Sequence, residues 1–97
     1  GPAARQCLRP PYGSVNATVR TVTAQQEYPL QLWTIDTMDY RRRGPAAIAR
    51  AALSRVTDGS VILMHDGGGD RSQTVAALPE ILTTLRARGF RFERMCT

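Results

Sequence analysis

A chain of 97 residues fits one small domain or part of a larger one. Its 42% hydrophobic and 22% charged content, with no low-complexity run, excludes a disordered tail, and no stretch holds the roughly 20 apolar residues that a membrane-spanning helix needs. The formal charge of +5, with Arg as the sole basic residue type, favours anionic partners; yet Arg41-Arg42-Arg43 is the only basic run, and aromatics at 6% do not interleave with it, so the pattern of a nucleic-acid binder is missing.

The start GPAARQCLR lacks the apolar core of a secretory signal, so either an export signal was removed or none existed. Residues 6–9 read as a first strand, stopped by Pro10-Pro11-Tyr12-Gly13, a combination that forces a turn. Asn16 can cap a following helix with Val15, Val19 and Val22 at helical spacing. The β-branched run Thr-Val-Arg-Thr-Val-Thr keeps a strand open as the alternative. Pro29 breaks the pattern, and residues 30–35 read as a buried second strand.

Pro45 after Gly44 suits a first helical position, Ile48, Ala52 and Val56 line one face, and Gly59 can supply the left-handed residue that ends this helix. Residues 60–65 contain Val61-Ile62-Leu63-Met64, too short for a helix and branched enough for a central strand. After the loop Gly67-Gly68-Gly69, the residues Val75, Leu78, Leu82 and Leu85 mark a third helix, with Pro79 near its start and Gly89 at its end. Residues 90–95 complete the pattern as a last strand. The alternation predicts an α/β fold of about four parallel strands and three helices, joined by right-handed crossovers. Such a sheet has two open edges, so the piece reads as a sector of a barrel that requires a neighbour.

In parallel α/β folds reactive residues gather at the C-terminal ends of strands. That rule brings Arg9, Asp36, Asp39, His65 and Asp66 to one rim. His65 is the only histidine, and an imidazole, with its ordinary pKa near 6.5, can exchange protons near neutral pH. Asp39 or Asp36 could accept a hydrogen bond from one ring nitrogen while the other faces a reacting atom; a purely structural histidine is the competing reading. Arg9 can grip a carboxylate through two parallel hydrogen bonds or simply form a structural salt bridge. The turn at Tyr12-Gly13 could aim backbone N–H groups at a developing oxyanion. The glycine loop lacks the spacing of a phosphate-binding motif, which leaves Asp66 and Asp70 as turn or cap residues. The triplet Asn16-Ala17-Thr18, inside a predicted helix, is read as a chance match to a glycosylation signal. Cys7 and Cys96, near opposite ends, either bridge or remain two buried thiols. A bridge would close a loop worth about 4 to 5 kcal/mol in chain-entropy models and would imply an oxidising, exported setting.

Arg9-Pro10-Pro11-Tyr12-Gly13, Trp33-Thr34-Ile35-Asp36-Thr37-Met38-Asp39-Tyr40 and Val61-Ile62-Leu63-Met64-His65-Asp66 together resemble the last three signature motifs of the polysaccharide deacetylases, carbohydrate esterase family 4. Order and spacing match, and residues 70–79 are also typical of the bacterial members. The resemblance implies a distorted (β/α) barrel, of which this chain is the C-terminal half. It implies metal-dependent hydrolytic removal of acetyl groups from N- or O-acetylated sugars of chitin, peptidoglycan or xylan. Carried onto this chain, His65 is the general acid that protonates the leaving amine or alcohol, and Asp39 is the carboxylate that tunes it. Arg9 holds the base, and the Tyr12 backbone N–H helps stabilise the oxyanion. Tyr40 and Leu63 line the pocket for the acetyl methyl, with Trp33 beside them more as packing. Tyr40 stands where the family usually has Trp.

The resemblance also implies a divalent metal, zinc or cobalt, whose ligands and whose catalytic base belong to two earlier motifs that this chain lacks. Alone the chain is therefore expected to be inactive. The leading expectation is a deacetylase whose N-terminal half lies on another chain or on a cleaved segment, with acetylated polysaccharide as substrate, secreted or in a bacterial cell envelope. The runner-up is a truncated, non-catalytic member that serves as a carbohydrate-binding or interaction module.

Overall fold

A computed structural model describes residues 7–96 and resolves them into two units, one of residues 7–32 with 93–96 and one of residues 33–92. In the first unit, Cys7 and Cys96 form a disulfide with Cα atoms 5.8 Å apart, an ordinary separation for a bridge. Beside it Leu8 makes an isolated parallel bridge to Leu30, with the Leu8 N–H on Pro29 O and the Gln31 N–H on Leu8 O, each at 2.9 Å. The first two predicted strands thus meet in parallel, but at one residue pair rather than along their length. Gln6 lies outside the described residues. Under non-reducing, denaturing conditions the bridge predicts no uptake of a thiol reagent; two labelled cysteines by intact mass would disprove it.

A single 3-10 turn at Pro11–Gly13 follows, with Tyr12 in the left-handed region at φ 56°. Helix α1 spans Ala17–Gln25, and Asn16 caps it as expected, its Oδ1 accepting the Val19 N–H at 2.8 Å. The strand alternative fails for a visible reason. The hydroxyls of Thr21 and Thr23 donate back to Ala17 O and Val19 O at 2.9 and 2.8 Å, so the branched residues are accommodated within helical geometry.

The second unit is built on two short parallel strands, β1 at Ile35–Asp36 and β2 at Ile62–Leu63, paired Ile35 to Ile62 and Asp36 to Leu63. Threonine hydroxyls continue the ladder where the strands stop. Thr34 Oγ1 accepts the Val61 N–H at 2.9 Å, and Thr37 Oγ1 donates to Leu63 O at 2.8 Å. The longer strands expected at 30–35 and 60–65 contract to these two pairs, flanked by backbone bonds from Thr34 N–H to Val61 O at 2.9 Å and from Thr37 N–H to Leu63 O at 3.4 Å. Residues 90–95 form no strand. Phe90 instead completes the end of the preceding helix, and Phe92 and Met95 are exposed. The α/β class and the three helices stand, while the expected four strands become one two-stranded parallel ladder and one bridge among the described residues.

Helix α2 at Pro45–Leu53 packs on helix α3 at Ser72–Ala87. Ile48, Ala49 and Ala52 of α2 meet Ala77, Ile81 and Leu85 of α3, and Ile62, Met64, Val56 and Phe90 close over them. Burying these apolar side chains supplies the main stabilisation of the unit. The small residues Ala49, Ala52 and Ala77 are all fully buried in this cluster. The buried face of α3 is Thr74, Ala77, Ile81 and Leu85, so Leu85 is buried as expected, whereas Val75 is 60% and Leu82 42% exposed, each replaced on that face by the residue before it. Pro79 lies eight residues into α3 rather than near its start, and it faces outward, where water can serve the carbonyl that its missing N–H leaves free. Gly89 ends α3 as expected. At φ +89° it donates to Arg86 O while Phe90 donates to Leu85 O, both at 3.0 Å, the double bond of a Schellman cap, and Phe90 joins the same hydrophobic cluster as Leu85. Gly59 does not cap α2, which already stops at Ser54; it sits in the turn that Ser60 closes onto Thr57.

Candidate functional site

The ends of β1 and β2 carry the polar residues of the second unit. After β1, Asp36 Oδ1 accepts the Met38 N–H at 2.9 Å, and Met38 adopts a left-handed backbone at φ 52°. This tight turn starts a 3-10 segment, Asp39–Arg41, and directs Asp39 inward to 1% exposure. Asp36 is therefore occupied in shaping the turn, and Asp39 is the carboxylate that meets the histidine.

Two residues beyond β2, His65 grips Asp39 twice. Its main-chain N–H donates to Oδ2 at 2.7 Å, and its ring Nδ1 lies 2.7 Å from Oδ1. From the first turn of α3 the Thr74 hydroxyl donates to Oδ2 at 2.9 Å. An ionised carboxylate taken out of water requires such partners. Burial pushes the Asp39 carboxyl up, but the hydrogen bonds from the His65 main chain, the His65 ring and Thr74, with the charge on His65, outweigh it and hold the pKa below the ordinary aspartate value.

With Asp39 anionic, the hydrogen bond at Nδ1 fixes the neutral ring as the Nδ1–H tautomer and leaves Nε2 as the exchanging nitrogen. The His65 side chain is 37% exposed, enough for a reacting group to reach that edge. Tyr40 lies edge-on to the ring with centroids 6.1 Å apart, and the Arg41 guanidinium sits 5.9 Å above Tyr40. Leu63 is half-buried at the end of β2, and Trp33 is half-buried two residues before β1. His65, Asp39, Tyr40, Leu63 and Trp33 all belong to this unit. Arg9 and Tyr12 belong to the other. There Arg9 is exposed, with Nη2 3.9 Å from Met95 Sδ, and the Tyr12 side chain is fully exposed.

The glycine loop is pinned by Arg71, whose Nε and Nη2 reach Gly67 O at 2.9 Å and Gly68 O at 3.4 Å, and Asp70 Oδ1 accepts the Ser72 N–H at 2.9 Å as α3 begins. Asp70 is thus the turn residue the sequence suggested. An open groove lined by Arg20, Thr23, Glu27, Tyr28 and Leu30 in the first unit contains none of the residues singled out above. Among the described residues no three His, Cys, Asp or Glu side chains stand together, so these residues do not fit a metal centre, and His65 Nδ1 is already committed to Asp39. No helix among the described residues is long and apolar enough to cross a membrane.

The sequence reading missed Thr74 and its neighbour Gln73, whose Oε1 accepts the Gly44 N–H at 2.7 Å and so fixes the start of α2. A signal for Thr74 was present. Once Ala77, Ile81 and Leu85 are placed on one face, Thr74 heads that face, and a buried hydroxyl there needs a partner.

No protein-family model matches the chain. It is 40% identical over 87 residues to a peptidoglycan-N-acetylglucosamine deacetylase of Bacillus cereus, covering 88% of this chain and 41% of that protein. A chitooligosaccharide deacetylase of Sinorhizobium fredii is 38% identical over 93 residues, covering 86% and 43%. Among solved structures, a family 4 carbohydrate esterase from Streptomyces lividans superposes with a TM-score of 0.77 at 40% identity, over 87% of this chain and 42% of that one. A family 4 pseudoenzyme from Bacillus anthracis superposes at 0.80 with 27% identity, over 89% and 29%. The chain therefore spans about two fifths of the length of these curated relatives.

Proposed function

We propose, for a chain that belongs to carbohydrate esterase family 4 and matches the C-terminal part of its (β/α)-barrel deacetylase domain, that it supplies the proton-donating side of a hydrolytic deacetylase acting on N- or O-acetylated sugars. The observation that carries this reading is the His65 ring locked through Nδ1 onto buried Asp39. When water adds to an acetyl carbonyl, the tetrahedral intermediate must expel an amine or alkoxide, and that step is far easier once the departing group gains a proton. Protonated His65 gives it from Nε2, and the anionic Asp39 stabilises the imidazolium beforehand and keeps the remaining proton on Nδ1 afterwards. Arg9 would hold the base, the Tyr12 N–H would face the oxyanion, and Tyr40 with Leu63 would border the acetyl methyl with Trp33 packed nearby.

A base and a divalent ion, zinc or cobalt, would come from an N-terminal half of the domain on a separate chain or a cleaved segment. The chain spans 41% of the length of a peptidoglycan deacetylase that it matches, which is consistent with that division. Peptidoglycan, chitin and xylan are the candidate polymers, in keeping with the names of the relatives. The Cys7–Cys96 bridge supports a secreted or cell-envelope setting in a bacterium. To test this, acetate release is measured from chitooligosaccharides, peptidoglycan and acetylxylan, with the chain alone and with the chain completed by an N-terminal half. Release only from the completed protein is the expected outcome. No release from any of the three polymers would end the proposal. Likeness to the Bacillus anthracis pseudoenzyme favours a second reading, a non-catalytic glycan-binding module, which predicts binding without acetate release.

A further inference from the structure

We infer that Thr74 is a positioning residue of the histidine–aspartate pair, holding the Asp39 carboxylate in the one orientation that keeps the His65 ring aligned for proton transfer. The inference rests on the reading of His65 as a proton donor and extends it to a residue of α3 that acts through Asp39.

Thr74 is 4% exposed and Asp39 1%, so neither side chain has water as a substitute partner. A threonine in a helix usually satisfies its hydroxyl by donating to a carbonyl one turn back, as Thr21 and Thr23 do in α1. Thr74 donates across to Asp39 Oδ2 instead. That oxygen thus receives two donors from two directions, the His65 main chain after β2 and the Thr74 hydroxyl from α3, while Oδ1 is left for the ring. Two donors on one oxygen oppose rotation of the carboxylate about its Cβ–Cγ bond. Without Thr74 both remaining partners belong to His65, its main chain on Oδ2 and its ring on Oδ1, and nothing outside that residue holds the carboxylate still. The branched Thr74 side chain has few rotamers, so α3, anchored by Ala77, Ile81 and Leu85, fixes where the hydroxyl points.

The test compares Thr74→Val, which keeps the shape and removes the hydroxyl, with Thr74→Ser, which keeps the hydroxyl. His65 is the only histidine, so its ring nitrogens give unambiguous NMR signals in the intact chain. In the native chain neutral His65 should be mostly the Nδ1–H form. In Thr74→Val the ratio of Nδ1–H to Nε2–H forms should fall by about tenfold, the effect of loosening one hydrogen bond. The pH midpoint of the Asp39 carboxyl, followed by its side-chain carbon shift, should rise, since a donor to the anion has gone. Thr74→Ser should restore both. An unchanged tautomer ratio and carboxyl midpoint in Thr74→Val, or no recovery in Thr74→Ser, overturns the proposal, because a role in packing alone would leave both unmoved. If Thr74→Val does not fold, the native Thr74 hydroxyl proton decides. A slowly exchanging resonance that shifts as Asp39 titrates supports the bond, and its absence overturns it. In the completed enzyme kcat of Thr74→Val should drop by about 10-fold to 10²-fold with KM unchanged, as for other misplacements of about an ångström. A shifted tautomer with full turnover would leave the positioning intact and refute His65 as proton donor, so the two claims fail separately.

Discussion

Replacing His65 with Ala should, under its proposed role as proton donor, lower acetate release by the completed protein by about 10² to 10⁴, the usual contribution of a positioned general acid. The effect should fall on kcat, because protonation of the departing group happens after the glycan is bound. An amine expelled from a tetrahedral intermediate without a proton is a very poor leaving group, so N-acetylated substrates should suffer more than O-acetylated ones. The variant should remain folded. Asp39 Oδ2 keeps both of its other donors, one of them a main-chain N–H that the substitution does not remove, and the lost ring is more than a third exposed. Steady-state kinetics on an N-acetylated oligosaccharide, with a melting curve of each protein as control, checks this. Turnover within a few-fold of the parent would exclude His65 from the proton-transfer step.

The legible parts of this site were the ones that local rules govern. A lone histidine at the end of a short apolar run marks a strand end in any parallel fold, and an aspartate just past the preceding strand is its natural neighbour. Asn16 as a cap and Gly89 as a helix stop follow from backbone chemistry that few other residues satisfy. What was illegible depended on packing between elements. The phase of α3 shows only in its packing, where Ala77, Ile81 and Leu85 meet Ile48, Ala49 and Ala52 of α2, while Val75 and Leu82 face outward despite their hydropathy. The short strands are a similar case. The hydroxyls of Thr34 and Thr37 add bonds to the backbone ladder at both ends, and no period in hydrophobicity reports where a side chain will do so. The choice between Asp36 and Asp39 also hinged on geometry, since only the left-handed turn at Met38 turns the second carboxylate inward.

Loss of the Asp39 side chain should markedly damage the stability of this unit. Asp39→Ala strands three donors at once, the His65 main-chain N–H, the His65 ring nitrogen and the Thr74 hydroxyl, two of them beside a residue with almost no exposure. A buried donor left without its acceptor, here the His65 main-chain N–H or the Thr74 hydroxyl, costs about 1 to 3 kcal/mol, while the partly exposed His65 ring can turn to water, and the sum is a large share of the stability of a domain this size. Asp39→Asn should cost less, because its remaining carbonyl oxygen can still accept from the main chain. The pH dependence separates charge from shape. The native state holds the Asp39 pKa below the ordinary value of 3.8, so around and below that value the unfolded chain binds the proton more readily than the folded one. The stabilisation is therefore complete above about pH 4 to 5, where both states are ionised, and declines as pH falls through the lower, folded pKa. Asn carries no titrating proton at this position. The difference in unfolding free energy between the parent chain and Asp39→Asn, measured by urea denaturation at pH 7 and again near pH 3, should therefore shrink at the lower pH. An equal difference at both would mean that the carboxylate contributes through its shape alone and that its charge does not support the imidazole.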